Sequence, residues 1–464
     1  MHDARPANFK RHLPSRPRRS FLRWGGVTLA GSAAGLFGRR DAASEAAEAK
    51  RLATADSVLF LWLAGGVTHH ESFDPKPEAP EEIHGPIEAI ETSVPGVRFA
   101  DTLPTLARHA DKMAVVRSYA AGTNDHFEGQ AYALSGRNIL PSGILSEPNF
   151  GCVIHHQLGA TGGLPGYIAV PGSTRPGPPD TNEFVPAYLG ESFAPFCTMG
   201  EPRKPDFRVR DLAALEGISD ERLERRGSLQ SQLESSLRSI ERSGAVEGMS
   251  QLYGRAFDML TSPHIRKAFD IHAEPVAARE KYGMSKLGQR CLLARRLLDA
   301  GARFVMVDYG YDWGEYNNLW DNHCAPVQNQ PHIWKMVKVP YHLPAVDQAY
   351  AALLDDLAQS GRLERTLVVY LTEFGRTPQI NSNGGRDHWG YCGSIFYAGG
   401  GVRGGQVIGV TDQIGAYCRT RTYSPADAVA TVYRAIGVDP HATLLDRQKR
   451  PVAIQTAGEP IPVF

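Results

Sequence analysis

Imidazole and carboxylate side chains gather in a few short stretches of this 464-residue chain. His69, Glu71 and Asp74 form one group, and Asn124, Asp125 and His126 a second. Asp321 and His323 form a third, Glu373 stands alone, and Asp387 and His388 make the last. No single spacing is diagnostic; Asp321-x-His323 and the Asp387-His388 pair are the strongest. Brought together from separate loops, such oxygen and nitrogen donors would make a catalytic metal site for zinc, manganese or calcium. Each stretch also has a plainer reading. An Asp-His pair is often only a hydrogen-bonded loop pair, and His69-His70 could simply cap the Gly-rich turn before it. Arg376 and Arg386 could grip a substrate oxyanion, or pair with Glu373 and Asp387. The sequence has no Gly-x-Ser-x-Gly elbow and no phosphate-cradling P-loop.

The elements that would position these residues are short apolar runs, each emptying into a polar loop. Residues 367–371 read as a strand buried on both faces, stopping at Thr372 and Glu373. A Gly/Asn-rich loop then delivers Asp387 and His388. Residues 57–63 form a similar run that ends in Gly65-Gly66 and the His69 group. Further strands are expected at 113–116, 167–170, 303–308 and 394–398. Helices are expected from a start at 101–104 and over 127–134, 151–158, 289–300, 345–357 and 425–436. His155 and His156 fall inside one of these helices and read as packing residues. Residues 207–285 are charged and helical in character, an insertion within one domain spanning 55–464. This order is the grammar of a mostly parallel sheet, in which ligands bind beyond the carboxyl ends of the strands. The loop after 308 is long and crowded with Trp, Tyr, Asn, Asp and His, as functional loops often are.

Lys+Arg and Asp+Glu number 50 each, so no net field draws the chain to nucleic acid, which is not expected as a partner. Residues 1–49 differ from the rest. Arg18-Arg19 precede Ser20-Phe21-Leu22, and a mild apolar run follows to Phe37. This reads as a twin-arginine export signal and lead-in, with a periplasmic or otherwise exported product and no membrane span once the signal is removed. The six cysteines contain no close-spaced pair and write no zinc or redox motif. Export would permit disulfides, while Cys291 sits on an apolar helical face and reads as core.

Six ordered stretches, LFLWLAGGVTHHESFDPKP, NDHFEGQ, WDNH, LTEFGRTP, GRDHW and GGQVIGVTDQIGAY, resemble the exported bacterial "domain of unknown function 1501" family from about residue 57 to 455. That family is in turn similar to the sulfatase and alkaline-phosphatase superfamily. The resemblance implies a three-layer α/β/α fold of the alkaline-phosphatase type. It implies a divalent metal held by Asp321, His323, Glu373 and His388, with His126 or Asp125 as the catalytic residue facing the substrate. His69, Asp74, Arg376 and Arg386 would face a small-molecule or glycan ester of sulfate or phosphate. Three departures bear on chemistry. Gly65-Gly66 replace the superfamily's first Asp pair, so its metal role would pass to His69, Glu71 or Asp74. Phe374 replaces a ligand His. A gapless overlay puts His126 where a Ser, Thr or modified Cys nucleophile would stand, with Thr123 out of register. A metal-dependent hydrolase without a covalent step is one reading. A binding or assembly protein that keeps the fold without catalysis is the other.

Overall fold

The computed structural model describes residues 52–139, 146–172, 186–209, 212, 259–310, 319–446 and 448–464. The export signal falls outside these residues, as do most of the 207–285 insertion and residues 311–318 of the long loop. Strand β1 (Ser57–Trp62) shows why its apolar run is unbroken. Leu59 and Leu61 enter one hydrophobic core, while Val58, Phe60 and Trp62 enter another. A strand covered on both faces has no solvent side to mark with polar residues.

Seven more strands complete the sheet: β2 (Met113–Tyr119), β3 (Ile168–Val170), β4 (Phe196–Cys197), β5 (Phe304–Asp308), β6 (Thr366–Leu371), β7 (Gly393–Ala398) and β8 (Gln406–Ile408). Their spatial order is β8-β2-β7-β6-β1-β5-β3-β4. Only β7 runs against its neighbours, pairing antiparallel with both β2 and β6. Helices α3 (Lys286–Asp299) and α4 (Leu343–Gln359) pack on the core that holds Leu59 and Leu61. Helices α1 (His126–Ser135), α2 (Phe150–Leu158) and α5 (Pro425–Ile436) cover the other face. The result is a mixed α/β protein with a mostly parallel central sheet between two helical layers.

Register brings the loops together. Trp62 is level with Asp308 on one side and Leu371 on the other, so three adjacent chains leave the sheet at the same height. β2 leaves at the same edge and turns through 120–125 into α1.

Two local expectations are corrected. The helix start at 101–104 is a 3-10 turn, Leu106–Lys112, and Asp101 does not cap it. The leading N–H groups of Thr105 and Leu106 donate instead to Asp347 of α4, at 2.9 and 2.6 Å. His155 is buried in α2, while His156 is partly exposed with its ring against Phe193. The two-residue β4 is too short to leave a sequence signal, and β8 is partly exposed without an unbroken apolar run. Among the described residues, no helix is long and apolar enough to cross a membrane.

Asp347→Ala should strand two backbone donors at once and lower stability by ~1–3 kcal/mol. Urea unfolding, read as a shift in midpoint at unchanged slope, checks this.

Candidate metal centre

The site is built on Glu373, the second residue past the end of β6, whose side chain has no solvent exposure. An ionised carboxylate in that position is tolerable only if donors surround it. The Gly65 N–H donates to both of its oxygens, at 2.8 and 3.0 Å. Gln130 Nε2 donates at 3.1 Å, and His126 Nδ1 at 2.8 Å. Burial opposes its charge, yet these partners, His126 foremost, hold its pKa below the usual value. The NDHFEGQ stretch now has a physical account. Asp125 is the N-cap of α1, accepting the Glu128 N–H at 3.0 Å. His126 and Gln130 lie one turn apart on the face toward Glu373. Gly129 lets that face come close, since a Cβ there would sit 3.1 Å from the Glu373 Cβ.

Asp321 is the centre of the arrangement. Its Oδ1 accepts from Arg376 at 2.7 Å and faces His388 Nε2 at 3.0 Å and His323 Nε2 at 3.1 Å. His126 Nε2 lies 3.3 Å from the same oxygen but off the line of a hydrogen bond, and it is buried with no hydrogen-bond partner. Each ring is turned by an acceptor behind it. His126 Nδ1 meets Glu373, His323 Nδ1 meets Asp387 at 2.7 Å, and His388 Nδ1 meets the Asn124 carbonyl at 2.7 Å. Those partners assign the protons to Nδ1 and leave the three Nε2 atoms facing inward, the outer-shell pattern of metal-binding histidines. The Phe374 ring packs on two of them, with centroids 5.0 Å from His126 and 4.8 Å from His388.

The donor set fits a borderline cation. His126, Asp321 and His388 offer ligand atoms all within 4.8 Å of one another. His323 Nε2 adds a nitrogen 2.8 Å from that of His388. Imidazole nitrogens with one carboxylate suit zinc or manganese, whereas calcium requires a shell of oxygens. Without an ion, protons must occupy the same space. Burial disfavours a charged His126, but the neighbouring carboxylates of Asp321 and Glu373 raise its pKa to about 9. His388 moves the other way, lowered chiefly by burial. Burial works against the Asp321 charge too, but Arg376 and the imidazoles hold its pKa far below the carboxylate range.

Not every expected residue joins the cluster. Glu373 stands behind His126 with its oxygens already engaged, so it supports a ligand from the outer shell. His126 takes the place expected for it, because α1 begins on the rim of the site. Arg376 and Arg386 are both fully buried and face no open space. Arg376 donates to Asp321 and to the carbonyls of Gly65, Gly66, Trp320 and Arg386. Arg386 pairs with Glu71 at 2.5 Å and gives its other donors to the carbonyls of Thr377, Pro378 and Ile83. Neither pairs with Glu373 or Asp387. Asp74 is spent on Lys76, Arg117 and Thr411, and His69 Nε2 on the Gly415 carbonyl at 2.8 Å. The metal role of the missing Asp pair therefore does not pass to His69, Glu71 or Asp74. Gly65 and Gly66 instead form a seat, with one N–H on Glu373 and both carbonyls on Arg376. The seat needs positive φ at both residues, +127° and +75°. A cleft lined by Glu147, Tyr188, Asp446 and Arg450 shares no residue with the cluster.

Two outcomes follow. A Cβ on Gly66 would lie 2.5 Å from the Phe374 ring, so Gly66→Ala should cost ~2 kcal/mol or more and weaken metal retention; denaturation and metal analysis check both. In the metal-free protein, His126 contributes stability that is complete below its unfolded pKa of about 6.5 and is lost as pH rises through about 9. The lowered carboxylates and His388 act only at lower pH, with the opposite slope. Urea midpoints in chelator should thus fall between about pH 6.5 and 9, and His126→Gln should flatten that limb.

The chain overlaps the PsFucS1 sulfatase from Pseudoalteromonas sp. at 12% identity and TM-score 0.36, covering 85% of this chain and 71% of that one. It overlaps a phosphonate monoester hydrolase from Silicibacter pomeroyi at 11% identity and TM-score 0.34, covering 83% and 74%. For the phosphonate monoester hydrolase of Agrobacterium radiobacter the values are 14% and 0.31, covering 82% and 74%. Overlaps this loose transfer no residue's role. No curated protein matches the sequence. Residues 55–463 match the family model described as protein of unknown function DUF1501, and the chain belongs to that family.

Proposed function

We propose that His126, Asp321 and His388, joined by His323, hold a zinc or manganese ion, and that the chain is an exported hydrolase of sulfate or phosphate esters. The observation that carries the metal reading is the orphaned, buried Nε2 of His126, aimed at a carboxylate already approached by two further imidazole Nε2 atoms. The ester reading rests on the resemblance to the sulfatase and alkaline-phosphatase superfamily. Bound there, the ion would supply Lewis acidity, polarising an ester oxygen and acidifying water.

The chain's own residues do the rest. Glu373 and Asp387 hold the Nδ1–H of His126 and His323, so these rings keep their inward lone pairs. Arg376 keeps Asp321 ionised and fixed in orientation. Phe374 walls off the rings from below. The amino end of α1, opening at His126, places a partial positive charge beside the cluster where an anionic ester would sit. The solvent side is the His323–Asp387 pair, with side chains 26% and 54% exposed. Substrate and product, a small molecule or glycan ester and its anion, would pass there.

The second reading, a binding protein without turnover, has one observation in its favour. The nearest hydroxyl expected as a nucleophile, that of Thr123, donates to Glu128 at 2.8 Å. A single set of measurements separates the two. The full chain, stripped by chelator and reloaded with zinc or manganese, should retain about one ion and hydrolyse aryl sulfates or aryl phosphates. Asp321→Asn and His388→Ala should each lose the ion and the activity, and Glu373→Gln should weaken metal affinity by ~10–100-fold. A retained ion without turnover of either ester class supports the binding reading. No retained ion ends the metal reading.

A further inference from the structure

The sequence places Cys392 and Cys418 far apart, but the fold sets them side by side. Cys392 is the residue before β7 and is fully buried. Cys418 closes a small hairpin through a bridge to Thr411, and its Sγ lies 3.6 Å from the carbonyl of Tyr391, the neighbour of Cys392. The Cys392 Sγ faces the carbonyl of Arg117 at 4.0 Å, and each thiol has the largest influence on the other's pKa. We infer that Cys392 and Cys418 are a disulfide-forming pair that fastens the 411–418 hairpin to the start of β7.

The hairpin gives this bond something to hold. Its turn is organised by the Asp412 carboxylate, which accepts the N–H groups of Ala416 at 2.7 Å and Tyr417 at 3.1 Å. Its attachments to the site's side of the molecule are carbonyls. Ile414 accepts from His70 at 2.8 Å, Gly415 from His69 at 2.8 Å, and Ala416 from the Trp389 indole N–H at 2.5 Å. Trp389 immediately follows His388, so the hairpin supports the segment that carries a cluster imidazole. Neutral hydrogen bonds of this kind each add only ~1 kcal/mol. A covalent link across the loop between the two cysteines removes freedom that those bonds leave.

The chemistry is ordinary thiol–disulfide exchange. Cys418 is the more exposed partner, and the neighbouring Cys392 lowers its pKa, which favours the thiolate. The Cys418 thiolate attacks one sulfur of an external disulfide, forming a mixed disulfide and expelling one thiolate. Cys392 then gives up its proton and attacks Cys418, forming the internal bond and expelling the second thiolate. Two protein thiols are oxidised by two electrons, and one external disulfide is reduced to two thiols.

The experiment uses the full chain, purified in reductant and then incubated with glutathione disulfide near pH 8. Thiols are counted under denaturing conditions, and peptides are mapped without reduction. Two of the six cysteine thiols should disappear, with the peptides of Cys392 and Cys418 joined. Cys392→Ser should stop at a glutathione adduct on Cys418, and Cys418→Ser should keep its remaining thiols. Six persistent thiols in the wild-type chain, or a link between other cysteines, would overturn the inference whether or not the variants fold.

Discussion

A carboxylate with no access to water stands at the end of the central strand, and much of the site follows from accommodating it. Glu373 needs several donors in a space closed to solvent, and no single loop can supply them. Gly65 comes from the end of β1, Gln130 and His126 from α1, and the strand itself from β6. Meeting that demand fixes the double glycine, the approach of α1 through Gly129, and the rotation of the His126 ring. The inward nitrogen of His126 is then committed in direction before any ligand arrives. Preorganisation of this sort lowers the cost of assembling a binding site.

The two buried arginines extend the same logic. Arg376 and Arg386 each lie under a loop and satisfy its carbonyls while neutralising one carboxylate, Asp321 or Glu71. A guanidinium has enough donors in a rigid fork to serve as a framework in which loop backbones are stitched together. Loops this well braced can behave like elements of secondary structure. The graded exposure of the cluster, closed at Glu373 and open at Asp387, is then a property of the framework and not of a lid.

Much of this was legible in the sequence. Unbroken apolar runs gave the buried strands, and the polar residues just beyond them marked the sheet edge. Asp321, His323 and His388 come together as their loop positions suggested. The assignments that changed depend on facts that spacing does not encode. Glu373 and His126 exchange places between inner and outer position because α1 approaches from one particular side of β6. Arg376, Arg386, His69 and Asp74 look like substrate-facing groups until burial is known, and every one of them is spent on the protein's own backbone or charges. The reversed direction of β7 left no mark, since a short buried strand reads the same in either direction.

β1 lies between β5 and β6, and its first loop donates to a glutamate 308 residues further along the chain. The earliest strand to be made thus waits until Phe304–Asp308 for one neighbour and until Thr366–Leu371 for the other. Loop closure over such distances makes folding slow and late-committing. The cluster draws on residues from His126 to His388, so a chain cut short of His388 lacks one of its imidazoles.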